Sequence, residues 1–429
     1  MTDKTSKPED YGRDVESRTP STIEAHLSEP PNPDWRAWVT LLGSFFLVIN
    51  AWGVINSFGI YQEYYQSTLL SDQSASSISW KATVQGCLLE VVGVFIGPIY
   101  DRGYFHSLVY TGSLFIVLGT ITMSVCTTYW PMFLAQGLCV GFGSGLVFVP
   151  SVSVVTALFT KRRAIVIGIV SSASSIGGII FPITFQRLIP RLGFRWTQRI
   201  IGFIVLSTLV LAIVVLHDHG PVQRKPRSLV DISALREPPF MAYVLAIAIL
   251  FTGYFVPLFY IPPFATSALT LSSSQSLNLL AVTNAGAFVG RLLPGLLPSV
   301  FTNASTLPLA TAFGGVITLA WLGIHGLRGF IAFCVLYGAL SGLIISLATI
   351  MVPALSPPFA IHETIGTRLG MVYFGCGIGV LIGSPIAGAL VDMQTASFVG
   401  AQGWAGGMLS GGALLLTYPW LVLRSKRKK

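Results

Sequence analysis

Between Trp38 and Leu423 apolar residues run almost without interruption, and the few breaks fall at short polar clusters. The uninterrupted stretches predict helices at roughly 37–61, 79–99, 106–127, 131–157, 165–188 and 198–216. A second set follows at roughly 240–263, 276–298, 306–325, 329–353, 369–390 and 404–423. At ~1.5 Å per residue, about 20 residues cross the ~30 Å of bilayer hydrocarbon, and these stretches are of that order. Mean hydropathy is +0.71 and only 10% of residues are charged. A soluble chain of 429 residues has too little polar surface to cover that much apolar material. The reading is an all-α membrane protein of twelve transmembrane helices in two six-helix halves.

The polar breaks organise the chain. Residues 1–34 are polar and hold Pro8, Pro20, Pro30, Pro31 and Pro33, with no apolar core of a signal peptide. They read as a disordered tail. A six-helix half over 35–218 is followed by a central loop at 219–238, a second half at 239–423 and a basic tail at 424–429. An even number of spans puts both termini on one side. Lysine and arginine favour the cytosol at Arg102, Lys161-Arg162-Arg163, Arg224, Lys225, Arg227, Arg236, Arg368 and the basic tail. Arg187, Arg191, Arg195 and Arg199 flank a predicted outer turn and oppose that orientation, but are outnumbered. Both termini are therefore expected in the cytosol, with the plasma membrane as the expected location. The sequon Asn303-Ala304-Ser305 then falls on an inner loop, where no glycosylation is expected.

The net charge of +9 does not point to nucleic acid, because five basic residues crowd into Arg424–Lys429, beside the last span. That placement suits a lipid surface. Cys87, Cys126, Cys139, Cys334 and Cys376 lie in apolar runs without a CxxC pair, as packing residues do. There is no phosphate-binding G-x-x-x-x-G-K-[ST] and no HExxH; His362-Glu363 lacks a second histidine. Ser171–Ser175 has no triad partner and reads as small residues for helix packing. No cofactor, metal or catalytic residue is expected.

The halves echo one another. Gly93-x-x-x-Gly97 corresponds to Gly286-x-x-x-Gly290, and Gly168 with Gly177 corresponds to Gly370 with Gly379, followed by Pro182 and Pro385. Paired halves are what a rocking transporter requires. The turn after the second span, Gly97-Pro-Ile-Tyr-Asp101-Arg102-Gly103, resembles the G-x-x-x-D-R-x-G loop of the major facilitator superfamily, with its last glycine displaced by one. Other segments resemble one branch, the fungal monocarboxylate-transporter-like family. They are Pro33-Asp34-Trp35-Arg36-Ala37-Trp38, Asn56-Ser57-Phe58-Gly59-Ile60-Tyr61, Ser77-Ile78-Ser79-Trp80 and Phe159 to Ala164. Asn284 to Arg291 and Ile365 to Met371 complete the set. The resemblance implies the major facilitator fold, a cavity between the halves and alternating access. Animal members couple a monocarboxylate to a proton through a lysine in helix 1 and an Asp-Arg pair in helix 8. Arg291 matches that arginine, but Asn56 and Ala287 stand at the lysine and acidic positions, against a lactate-type proton symport.

Polar residues inside spans carry the functional expectations. Arg291, deep in the eighth span, suits an anionic oxygen pair. Asn56, Asn284, Gln136 and Asn50 join it as substrate-binding candidates. Glu90, alone in the second span, is the proton-coupling candidate or a fixed partner of Lys81 or Arg291. Asp101, Arg102 and Arg368 are candidates for conformational gating, and Tyr254, Phe255, Phe259 and Tyr260 for an outer gate or interfacial belt. The function expected is a secondary transporter of small organic molecules, acting as a monomer, with export one of its directions. A membrane-embedded enzyme lacks a convergent set of ionisable residues, and a sensor or scaffold lacks a long signalling tail.

Overall fold

Hydrocarbon offers no partner to backbone N–H and C=O groups, so a chain this apolar must close its hydrogen bonds within helices. The computed structural model, which describes residues 34–159, 162–216, 226–301, 305–357 and 364–427, is helical throughout its long apolar runs. The tail before Asp34, Lys161, residues 217–225, Asn303, Ala304 and the His362-Glu363 pair lie outside the described residues.

The membrane-spanning helices are α1 (Trp35–Leu69), α2 (Ala75–Asp101), α3 (Phe105–Val125), α4 (Tyr129–Leu158) and then the segment Arg163–Leu216, two helices joined at Gly193. The remainder are α7 (Pro238–Ser267), α8 (Ser273–Leu296), α9 (Thr306–Gly323), α10 (Leu327–Leu355), α11 (Ile365–Ala389) and α12 (Val399–Ser425). Arg163–Leu216 is 54 residues long and folds back on itself at Gly193, whose φ of 67° and ψ of 176° few side chains other than hydrogen tolerate. Its limbs, α5 (163–192) and α6 (194–216), complete twelve crossings. The turn between the fifth and sixth spans is therefore one glycine rather than the expected loop of several residues. α1 also outlasts its expected end near residue 61, because Tyr65–Leu69 adds a π-helical turn.

α1 packs against the α5–α6 unit and α4, and α3 lies on α4. Likewise α7 packs against α12 and α11, and α9 lies on α12. The two groups meet where α2 runs along α11 and α5 along α8, with the end of α1 against α7. Side chains facing away from the bundle are large and apolar, among them Leu114, Phe313 and Leu414, and belong to the lipid surface. Their burden is carried by lipid rather than by a protein core, which is why so apolar a chain needs no polar coat. The molecule is a multi-pass integral membrane protein built of two helix groups.

The backbones of α8 and α10 approach closely. Gly286 and Gly290 on α8 interleave with Gly338 and Gly342 on α10. A Cβ at Gly290 would stand 2.0 Å from the Ala339 carbonyl oxygen, and one at Gly342 would stand 2.1 Å from that of Ala287. Without a hydrophobic force between helices in lipid, such close approach supplies the dispersion energy that holds them. The expected consequence is that Gly290→Val destabilises the protein by about 1–3 kcal/mol or more. Gly403→Ala, where a Cβ meets nothing within 4 Å, should be silent. Thermal unfolding of the two variants in one detergent compares them directly.

Candidate functional site

A cavity with an empty volume of about 980 Å³, its open mouth included, lies between the two helix groups. Trp52 of α1, Glu90 of α2, Phe148 of α4, Ser171 and Ser174 of α5, and Arg291 of α8 line one part. Phe251 of α7, Ser346 and Thr349 of α10, and Tyr373 and Cys376 of α11 line another. The walls are mostly aliphatic and aromatic: Trp52 stands edge-on to Phe148 at 5.7 Å, and Phe148 to Tyr373 at 5.9 Å. The lining continues to Thr156, Ile167, Val352 and Leu369, each about one turn from the ends of α4, α5, α10 and α11. Those ends lie on the face from which α1 starts and at which α12 finishes, here called the terminal face.

Arg291 and Glu90 meet in this one cavity although 200 residues of chain separate them. The Arg291 guanidinium is 3% exposed and donates through Nη1 to the hydroxyls of Ser174 and Ser175, the latter at 2.6 Å. Its Nε proton is unpartnered, and no carboxylate lies within ion-pair distance among the described residues. Gly168 on α5 lets that helix come against the Arg291 backbone, which sets the serines at the right height. Glu90 is equally buried. One carboxyl oxygen faces the Cys376 thiol at 3.6 Å and the other, Oε2, has no partner. It pairs with neither Lys81 nor Arg291; Lys81 instead holds its ammonium 4.1 Å from the ring centre of Tyr65 and 5.2 Å from that of Tyr129.

The uncharged candidates fall elsewhere. Asn50 donates to the Phe46 carbonyl and to Thr208 of α6 at 2.9 Å, tying α1 to α6 away from the cavity lining. Asn56 donates to the Ser174 carbonyl at 3.3 Å, just behind the serine that holds Arg291. Asn284 donates to the Leu280 carbonyl and fills the space left by Gly178 of α5. Gln136 accepts a hydrogen bond from the Tyr65 hydroxyl at 3.3 Å, inside the first group of helices. All four are buried, and none lines the cavity.

Toward the opposite face the helices close. The hydroxyls of Ser79 (α2) and Tyr260 (α7) are 2.6 Å apart, Ser76 donates to the Pro385 carbonyl at 2.8 Å, and Phe58 meets Phe259 at 5.0 Å. Ser273 of α8 donates to Glu63 at 3.1 Å. The span-seven aromatics are buried between helices rather than spread along an interfacial belt. Phe259 and Tyr260 belong to this closure, whereas Phe255 stacks on Trp52 at 6.2 Å behind the cavity wall.

At the terminal face residues 226–237 form a strap that leads into α7. Asp101 receives two hydrogen bonds from the Arg227 guanidinium, at 2.6 and 2.7 Å, and a third from the Arg227 backbone N–H at 3.1 Å. Its neighbour Arg102 points to solvent and makes no such pair. Arg227 lies between Gly97 of α2 and Gly366 of α11. A Cβ at either glycine would come within 3.1 Å of it. Thr367 donates to the Ser228 carbonyl at 2.7 Å. Arg368, wholly buried, pairs with Asp231 at 2.9 Å and bidentately with Glu237 at 2.8 and 2.6 Å, its guanidinium over the Phe240 ring. Burial works against the Asp231 charge. Hydrogen bonds from Ser233 and Arg368 outweigh it and hold the carboxyl below its usual range. Because that pKa is depressed, its contribution is complete above the unfolded value and is lost as pH falls from there through the folded value.

Arg227, Asp231 and Glu237 had no signal in the sequence beyond being charges in a polar connection. The serines around Arg291 were legible as hydroxyls on a helix, and only the packing of α5 on α8 aims them at the guanidinium. Trp52, Phe148 and Tyr373 looked like any aromatic in a span.

Comparison with known proteins agrees with this architecture. The sequence profile of the Major Facilitator Superfamily matches residues 40–367. An MFS-type transporter of Emericella nidulans, dbaD, is 37% identical over 419 residues, covering 95% of this chain and 92% of that protein. The aspyridones efflux protein apdF of the same organism is 34% identical, covering 92% and 81%. The agnestins efflux protein AgnL12 of Paecilomyces divaricatus is 32% identical, covering 86% and 85%. Two helix groups about a cavity, and matches of this length, make the chain a transporter rather than an enzyme, and it belongs to the major facilitator superfamily.

Proposed function

We propose that the chain exports an apolar organic metabolite bearing an acidic oxygen pair, by alternating access, from the cytosol across the plasma membrane. The observation that carries this reading is Arg291: a buried guanidinium with a free Nε proton and no carboxylate among the described residues, set in an apolar, aromatic-walled cavity. An anionic oxygen pair on the cargo is the partner that such a fork of donors fits. The aromatic walls suit a planar ring system.

Export is supported by the state of the cavity, which reaches the terminal face while the opposite face is closed. Arg36, Arg102, Arg162, Arg163, Arg227, Arg236, Arg368 and Arg424 lie toward the terminal face and favour the cytosol for it, outnumbering Arg187, Arg191, Arg195, Arg199 and Arg328 opposite. Relatives named as efflux proteins for aspyridones and agnestins favour the same direction. The motifs shared with the monocarboxylate-transporter-like branch support membership there. A lactate-type site is not rebuilt, since Ala287 packs on Gly342 and Asn56 is bonded to Ser174. Asn56 and Asn284 support the Arg291 wall from behind, and Asn50 and Gln136 brace α1. The transporting unit in this scheme is a monomer, with both helix groups that wall the cavity supplied by one polypeptide.

Glu90 is the proton-coupling group in this scheme, and the Asp101–Arg227 and Arg368 pairs gate the terminal face, with Arg102 a surface charge beside them. Arg291→Ala should lower export of an acidic aromatic metabolite about tenfold or more, and Arg291→Lys should not restore it. Flux from inverted vesicles with matched protein levels measures this; undiminished flux would remove Arg291 from the site. Glu90→Gln should abolish accumulation driven by a pH gradient while solute exchange across the same vesicles persists. Asp101→Asn should reduce the population open at the terminal face about tenfold. Distances between spin labels at Leu158 and Ala354, near the ends of α4 and α10, report that population.

A further inference from the structure

The strap between α6 and α7 carries a hydroxyl that none of the transport chemistry uses. Ser228 is exposed on an irregular stretch of the terminal face, directly after Arg227. Three basic residues, Arg224, Lys225 and Arg227, stand within the four positions before it. An exposed serine outside any helix, behind such a run, is the form in which protein kinases that read basic residues take their substrates.

We propose that Ser228 is a phosphorylation site that releases the strap. The reaction transfers the γ-phosphoryl group of ATP to the Ser228 oxygen. The new P–O bond replaces the β–γ bond, ADP leaves, and the hydroxyl proton passes to the kinase's base. The modification adds nearly two negative charges and three acceptor oxygens. They arrive beside Arg227, whose guanidinium and backbone N–H are committed to Asp101, and a few residues from Asp231 and Glu237, which are committed to Arg368. The phosphate competes for Arg227 and repels the carboxylates that anchor the rest of the strap. It also stands where the Ser228 carbonyl accepts from Thr367 and the two hydroxyls are 3.5 Å apart, so it displaces α11 from the strap.

Arg227 is the pin between the ends of α2 and α11, filling the space over Gly97 and Gly366. Drawing it out lets those ends close. Phosphorylation therefore shifts the protein away from the state whose cavity reaches the terminal face. The physiological role rests on the proposed cytosolic placement of that face, since ATP and kinases are found there; the chemistry at Ser228 does not.

The test uses the purified full chain with ATP and the catalytic subunit of a basophilic kinase. Peptide mass spectrometry should find phosphate at Ser228 and none on that peptide in Ser228→Ala. In the phosphorylated protein, spin labels at Leu158 and Ala354 should show the closed terminal face enriched about fivefold or more, within the ordinary range of coupling between sites. Arg227→Ala should show the same closure without phosphate, and phosphorylation of that variant should add little. Failure of the kinase to modify Ser228 while modifying a basic control peptide would overturn the proposal, as would modification with unchanged label distances. Protease access to the strap in intact cells is scored separately. A strap found outside the cell would sink the cytosolic orientation while leaving the in vitro result standing.

Discussion

Hydrocarbon gives a polar group nothing to bond to, and each feature of this molecule is an answer to that. The backbone answers with helices, and the helices approach one another through glycine where dispersion is the attraction available. Side chains answer in pairs: Asn50 with Thr208, Tyr61 with Gln198, Tyr254 with the Ser341 carbonyl. Among the described residues three buried ionisable side chains keep an atom without a partner, Arg291 Nε, Glu90 Oε2 and Lys81 Nζ, alongside uncharged groups such as the Gln85 amide. Two of the three line the same cavity. A buried charged donor or acceptor left open costs stability, and in a cavity it is the group that a ligand of opposite polarity completes.

The two ends of the molecule are held by different physics. Opposite the terminal face, closure comes from hydrogen bonds, one of them to the Glu63 carboxyl, and ring contacts between α1 or α2 and α7, α8 or α11. These contacts lie between rigid helices and separate together if the halves rock. At the terminal face, closure of the strap is ionic and runs through a connection rather than between spans. Arg227 and Arg368 tie that connection to α2 and α11, one in each helix group. Charge-assisted pairs of this kind are strong when buried and are sensitive to any new charge nearby. A connection built this way can be regulated without touching the cavity.

Legibility in the sequence divides along the same line. Helix number and position were readable because lipid imposes a minimum apolar length; the surprise was a turn compressed to Gly193. Arg291 and Glu90 stood out because charge inside a span is rare. Asp101 was visible as half of a DR pair, but its partner is Arg227, 126 residues away, not the adjacent Arg102. Asn50 and Gln136 had the same standing in sequence as a pathway residue would, and packing turned both toward neighbouring helices instead.

By itself the sequence determined the solvent, the helices and which side chains would be costly to bury, because these follow from transfer free energies of residues along one chain. It also carried the family, through short motifs in order. Tertiary structure decided which costly side chains share a space, which hydroxyls face Arg291, and which carboxylates hold Arg368. Those outcomes depend on the angular setting of one helix against another. In lipid that setting comes from the fit of glycines and small residues over many contacts, a property of pairs of helices that no single stretch of sequence contains.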